Sequence, residues 1–271
     1  MGRDVSDRPV CPVGLLILRD RITNTISKKA KIGKRVTLGP YTIVHDNVVI
    51  GNDTTIESHC VIGYPTKLAK GKPLLIQKDS HIRSHSIFYE GSRFGPKLVT
   101  GHSVLVRENC VAGRELQVGT NTIIDGDCTI GDCVKFHSDV ILAKRSKIGH
   151  FVYLYPGVRV LNDPFPPSFL EEGVTIKDMA VLTTGALLLP GVTVGLGCFV
   201  AAGSVVRSDI PDLHCVSGNP AALFATLDRF MSPKYGRYHP WVSRFKGKYS
   251  KESYPLMKSI VEKIDRLITR T

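Results

Sequence analysis

The chain has 271 residues, 42% of them apolar, with 36 Lys and Arg against 24 Asp and Glu, a formal net charge of +12 and seven cysteines. No stretch is long and apolar enough to span a membrane, the apolar run at 13–18 being far too short, and no signal-peptide pattern opens the chain, so it reads as cytoplasmic. The odd cysteine count and the lack of any ligand spacing argue against a disulfide framework and against a metal site. The basic excess, densest in residues 222–271 with 11 basic and 4 acidic residues, comes without a nucleic-acid motif and with Trp241 as the sole tryptophan, so phosphate-bearing small ligands suit it as well as nucleic acid does.

Residues 1–25 carry no repeat. From Ile26 an apolar residue then falls at every sixth position to Ile62, again from Ile76 to Val160 with lapses only at Thr100 and Ala112, and again from Ile176 to Val206, which makes 28 hexads. Internal repetition of this kind outranks any local reading. A period of six matches neither a helix nor a plain amphipathic strand. It matches a triangular solenoid in which each hexad is one short strand and one corner, three hexads make a coil, and coils stack as parallel strands about 4.8 Å apart. The count predicts about nine coils. The leading residue points inward, and so does the small or β-branched residue four places on, among them Cys60, Cys110, Cys128 and Cys198. Glycine recurs at the second position, where its freedom of backbone angle suits a corner.

Two interruptions leave the coil as loops. The first covers about residues 64–75; the second, about 162–175, opens with Asn162-Asp163-Pro164-Phe165-Pro166-Pro167-Ser168, and its prolines exclude ladder pairing. After Val206, Gly218-Asn219-Pro220-Ala221 reads as a loop entering a helix, and a second helix is expected over about 253–269, with an apolar stripe that packs on the open end or side of the solenoid, capping the last coil being preferred to partner binding. The organisation predicted is a solenoid over 1–213 and a helical segment over 214–271.

Counting by eighteen places residues in columns along the corners. One corner aligns Glu90, Glu108, Gly126, Lys144 and Asn162, with Asn109, Asp127, Arg145 and Asp163 beside them. Acids and an amide next to an inserted loop favour a ligand site over a merely solvated corner. An adjoining edge aligns Ser84, His102 and Ser138, with His137 beside them. If exactly one hexad is lost at the second loop, that edge continues into Gly157, Gly185 and Gly203, a strip on which an extended ligand can approach the backbone.

These hexads, with Leu189-Pro190-Gly191-Val192, Ala202-Gly203-Ser204-Val205-Val206 and Gly218-Asn219-Pro220-Ala221, resemble left-handed β-helix acyltransferases over about residues 26–225. The 162–168 stretch, with Tyr89-Glu90-Gly91-Ser92, Thr100-Gly101-His102 and Val106-Arg107-Glu108, is similar to the nucleotide-sugar N-acetyltransferases that act on dTDP-linked 3-amino-3,6-dideoxyhexoses. The resemblance implies a left-handed β-helix, a homotrimer with sites between chains, acetyl-CoA as acyl donor and no metal. It implies acceptor contacts at Asn162 and Asp163 and at Glu90, Glu108, Asp127 and Lys144, with His102 and His137 lining the cleft. Acyl-CoA is expected near Gly185, Ala202 and Gly203, with Arg207 on its phosphates. The sequence departs from relatives at Gly126, where they commonly carry histidine, and at Lys144, where they carry an amide. Without a base at 126, the leaving thiolate takes the proton and rate rests on positioning. Three alternatives stand beside this reading. One is a sugar O-acetyltransferase with His102 or His137 as base. Another is a γ-class carbonic anhydrase, whose spaced histidines His81, His85, His137 and His150 do not reproduce. The last is a non-catalytic scaffold.

Overall fold

In the computed structural model the repeat winds into a left-handed parallel β-helix. The structure describes residues 23–232, 236–237 and 247–269; the chain before residue 23, and Trp241, lie outside the described residues. Each leading residue closes a short strand. Thr25–Ile26, Lys31–Ile32 and Thr37–Leu38 make the first coil and begin three sheets, A, B and C. Coils pair in register at eighteen residues, as in Thr25↔Ile43, Lys31↔Val49 and Thr37↔Thr55.

The sheets hold ten, nine and eleven strands, more than the nine coils expected. The excess lies at the C-terminal end. His214–Ser217 continues the wrap past Val206, pairing in parallel with Phe199–Val200, and Ala222–Thr226 returns antiparallel on it. The solenoid therefore does not stop at 213. Gly218-Asn219-Pro220-Ala221 is the turn of this hairpin rather than the entry to a helix. An Asn-Pro signal starts turns as well as helices, and pairing with the last coil decides between them.

The core is a single column of leading residues. From Val44 to Val206 each is at most 5% exposed, the lapses Thr100 and Ala112 included. Thr100 is tolerated because its Oγ1 accepts the Arg83 N–H at 2.9 Å. Cys60, Cys110, Cys128 and Cys198 are fully buried in the small inward positions, and burial pushes the Cys198 thiol up to about 12. Phe136, 1% exposed, fills one coil. Phe136→Ala is expected to cost about 3–5 kcal/mol, read from the urea midpoint, because its neighbours sit on rigid strands and close poorly on the gap; a cost under about 1 kcal/mol would show that coils collapse freely.

The glycines of the second hexad position have a different cause from the one expected. Gly39 and Gly119 do not adopt left-handed φ; a Cβ on them would strike the next coil at 2.4 Å from Ser58 N and 2.3 Å from His137 C. The left-handed residue of each corner is the fourth of the hexad. At the B–C corner that column runs Arg35, Asp53, Asp79, Lys97 and Glu115, then Cys133, Phe151, Met179, Gly197 and Leu213. It changes from charged to apolar where the C-terminal helix docks.

That helix, α1, spans Tyr254–Ile268 and buries Met257, Ile260, Val261 and Ile264. These pack with Cys133, Phe151, Met179, Leu213 and Tyr249 in a second core on the flank of the solenoid. It does not cap the last coil. Glu115, 8% exposed, ties the approach to α1 by accepting from Ser250 N at 3.1 Å, from Ser250 Oγ and from Ser253 Oγ at 3.0 Å. Between residue 214 and α1 the described elements are strands and a single 3-10 turn, Lys251–Ser253, so the segment is not helical throughout.

Candidate functional site

Both interruptions fall on one corner, between sheets A and B. The first leaves after Val61–Tyr64 and returns at Leu74–Ile76, with a 3-10 turn at Lys67–Ala69. The second leaves after Arg159–Val160 and returns at Thr175–Ile176. No strand is lost there: ten residues are added to one corner, Arg159 pairs with Leu187, and the columns resume.

The stretch of corner between the loops carries the predicted acceptor column. Glu90 Oε1 accepts from Thr66 N at 3.0 Å, and Asn109 Nδ2 donates to Leu68 O at 3.1 Å and to Asp127 Oδ1 at 3.0 Å; both pin the first loop. Lys144 Nζ lies 3.2 Å from Glu171 and 3.7 Å from Asp127 Oδ2, and Arg145 Nε lies 3.3 Å from Glu171 Oε2; these pin the second. Glu171 escaped the sequence reading because it lies inside the loop, off the eighteen-residue count. Glu108 is buried, and its Oε1 accepts from Arg107 at 3.2 Å. Asp125, beside it, has its carboxyl raised by burial, with Glu108 and Glu171 adding to the rise and Arg107 and Lys144 opposing it.

Asn162 is half-buried at the mouth of the second loop, and its carboxamide is not engaged by any other described residue. Asp163 is differently placed. Its carboxylate accepts from Phe165 N at 3.1 Å, from Ser168 N at 3.0 Å and from Ser168 Oγ, so it folds the loop. The Ser168 hydroxyl, then its amide, holds that carboxyl below the usual range. The tip it supports leaves Phe165 74% and Phe169 107% exposed.

The histidines and glycines occupy the other edge of sheet A, the C–A corner. His102 Nδ1 meets Ser84 Oγ at 2.8 Å and lies 4.0 Å from Glu57 Oε2, whose Oε1 is 2.8 Å from His81 Nε2. His137 stacks on Tyr155 at 4.8 Å, and burial, then the charge of Lys135, lowers its pKa. It lines a shallow groove of about 260 Å³ with Arg83, Gln117, Lys135 and Ser138. Higher up, Gly157, Gly185 and Gly203 align although no hexad is lost, with Gly185 N donating to Pro156 O at 3.0 Å. Their φ values are 73°, 70° and 68°. Left-handed φ does not by itself require glycine here, because the same column carries Tyr41, His59, His85, Ser103, Asn121 and Asp139 at equally left-handed angles. The glycines instead clear a strip: a Cβ on Gly185 or Gly203 would meet nothing within 4 Å. Ala202 is exposed beside them. Arg207 is not with them; it sits on the A–B corner, 3.3 Å from Asn219 Oδ1.

One chain thus brings Glu90, Glu108, Asp127, Lys144, Asn162 and Asp163 together on one edge of sheet A, and His102, His137, Gly185, Ala202 and Gly203 on the other. The outer face between the edges is apolar: Ile43, Val61, Ile87, Leu105, Ile123, Ile141, Leu187 and Val205, with Arg159 the one charge. On sheet B the equivalent positions include Lys31, Arg93, Thr129, Lys147, Thr175 and Thr193. Among the described residues no cluster of His, Cys, Asp or Glu could hold a metal, and no helix is long and apolar enough to cross a membrane.

A family model described as bacterial transferase hexapeptide (six repeats) matches residues 29–64. The bifunctional protein GlmU of Exiguobacterium sp. is 28% identical over 200 residues, which cover 72% of this chain and 41% of that protein. The acyl-[acyl-carrier-protein]–UDP-N-acetylglucosamine O-acyltransferase of Thermodesulfovibrio yellowstonii is 32% identical over 132 residues, covering 49% of this chain and 48% of that protein. The chain therefore spans less than half the length of either relative. Among solved structures, the UDP-N-acetylglucosamine acyltransferase of Campylobacter jejuni aligns with a TM-score of 0.43 at 19% identity, covering 90% of this chain and 80% of that one.

Proposed function

We propose that the chain is a CoA-dependent acyltransferase. On this reading it transfers acetyl from acetyl-CoA to the amino group of a nucleotide-linked amino-deoxy sugar of the dTDP class, for surface-glycan biosynthesis. The observation that carries it is the strip at Gly157, Gly185 and Gly203. Glycine there is not demanded by the fold, and the open backbone it leaves suits a long, thin cosubstrate that binds peptide amides. The acidic corner suits an ammonium-bearing acceptor.

The two half-sites imply a homotrimer. Three copies around an axis parallel to the solenoid, each with sheet A inward, cover the apolar face and set the A–B corner of one chain against the C–A corner of the next. Such a heterologous contact closes into a ring. The exposed Phe165 and Phe169 gain cover in the same step. Asn162 then orients a sugar hydroxyl, Asp163 holds the loop that presents it, and Arg207 of the A–B corner reaches the neighbour's strip to meet phosphate. His102 and His137 line the cleft from the other chain. The acyl donor supplies the thioester; the protein supplies position and amide dipoles for the developing charge.

A second reading, transfer to a hydroxyl, is favoured by His137. Its lowered pKa keeps the imidazole neutral, and so able to take a proton, through neutral pH. The relative from Thermodesulfovibrio yellowstonii, an O-acyltransferase by name, is compatible with it. Thiol release from acetyl-CoA, followed with amino-sugar nucleotides and with their hydroxyl analogues, separates the two. The amine reading expects release with the amine alone, and His137→Gln slows it without abolishing it. The hydroxyl reading expects activity lost on acidification below pH ~6.5, because the pKa is lowered from the ordinary histidine value, and abolished at every pH by the same substitution.

A further inference from the structure

Resting on the amine-acceptor reading, we propose that Glu108, whose carboxylate fills the space that Gly126 leaves, receives the acceptor's amino group and takes its first proton. Glu108 is 1% exposed. Arg107 engages its Oε1, while Oε2 is buried and meets no donor. An unpaired buried carboxylate oxygen costs free energy, and its persistence calls for a partner that arrives with the ligand. Three other acids of the corner are committed, Glu90 to Thr66, Asp127 to Asn109 and Lys144, and Asp163 to its own loop.

Gly126 belongs to the same arrangement. A Cβ there would stand 2.8 Å from Glu108 Oε1. Any side chain at 126 displaces the carboxylate, so the missing side chain and the placement of Glu108 are one feature. Gly126 is also the one member of the column without a side chain. An ammonium brings three donors and a positive charge to an unpaired carboxylate oxygen; a hydroxyl brings one donor and no charge.

The step balances as follows. The ammonium passes one proton to Glu108 Oε2. The neutral nitrogen attacks the thioester carbonyl; the N–C bond forms and the C–S bond breaks. The thiolate leaves with the electron pair and takes the second N–H proton. Glu108 releases its proton to solvent as the amide departs. Arg107, Asp125, Lys144 and Glu171 are the charged groups around this exchange.

The test is Glu108→Gln in the full chain. Melting temperature is expected to stay level, because glutamine keeps an oxygen for Arg107 and removes only an oxygen that meets no donor, and acetyl-CoA binding is expected to be unchanged. The kcat/KM for an amino-sugar nucleotide should fall about a hundredfold or more at neutral pH. The loss should shrink as pH rises toward the amine's own deprotonation. Gly126→Ala, which pushes the carboxylate aside, should show the same pH-dependent defect. A Glu108→Gln enzyme with wild-type kcat/KM overturns the proposal, as does an equal loss at every pH with a lowered melting temperature. If the wild type acylates the amine and Glu108→Gln does so equally well, only the role of Glu108 falls. If the wild type acylates only the hydroxyl analogue, the amine reading falls and the proposal with it.

Discussion

Ile123→Glu is expected to leave each chain folded, to dissociate the proposed trimer and to lower turnover at least about a hundredfold, since an unpaired charge buried at an interface costs about 3–5 kcal/mol. Ile123 lies mid-way along the outer face of sheet A, paired with Leu105 on one side and Ile141 on the other. It contributes nothing to the inner core, whose nearest member is Ile124, fully buried. The circular dichroism of the variant should match the wild type while sedimentation velocity reports single chains. On the proposed assembly activity falls with it, since there each site takes one edge from each of two chains. A fully active variant that sediments as a single chain would break the link between assembly and function.

Gly203→Trp is expected to abolish turnover or to raise the Michaelis constant for acetyl-CoA beyond saturation. The residue has φ 68°, and the cost of holding an L side chain there is about 1–2 kcal/mol, which a solenoid of this size tolerates. A Cβ there meets nothing within 4 Å, so the side chain leaves the coil into the open strip rather than into the core. Gly203→Ala carries the same backbone cost with little bulk and separates the two effects: alanine should bind CoA nearly as well as glycine. Unchanged CoA kinetics in the tryptophan variant would place the donor elsewhere.

The apolar series at six-residue spacing located every strand from Thr25–Ile26 to Val205–Val206, because a leading residue has only one place to go in a narrow triangular core. The columns at eighteen also set Glu90, Glu108, Gly126, Lys144 and Asn162 on one corner and Ser84, His102 and Ser138 on another, while Arg207, expected with the glycines, lies on the first. Three features were less accessible. The flank docked by α1 was written in the sequence as Cys133, Phe151 and Met179, apolar residues at left-handed corner positions that are charged or polar in earlier coils, and that change of character was not read. The hairpin at 214–226 is decided by pairing with the preceding coil, a contact that local turn signals do not encode. The placement of the Glu108 carboxylate over Gly126 depends on a side-chain torsion, to which a periodic count is blind.

The docking of α1 also makes the rod mechanically uneven. In a solenoid each coil is held only by its neighbours, so any plane between two coils is a potential line of parting. The C-terminal segment lies across several such planes, from its hydrogen bonds at Glu115 to its packing on Leu213, and parting any of them requires peeling that segment away as well. The coil of Glu108 is the first on which those hydrogen bonds close; the coil of Glu90, which pins the first loop of the coil before it, lies just outside them. The corner proposed to take the acceptor therefore straddles the seam between a splinted stretch of the rod and an unsplinted one. Amide exchange should step across that seam, slow from Glu115 onward and faster before it, with the first loop riding on the softer side and the second on the stiffer.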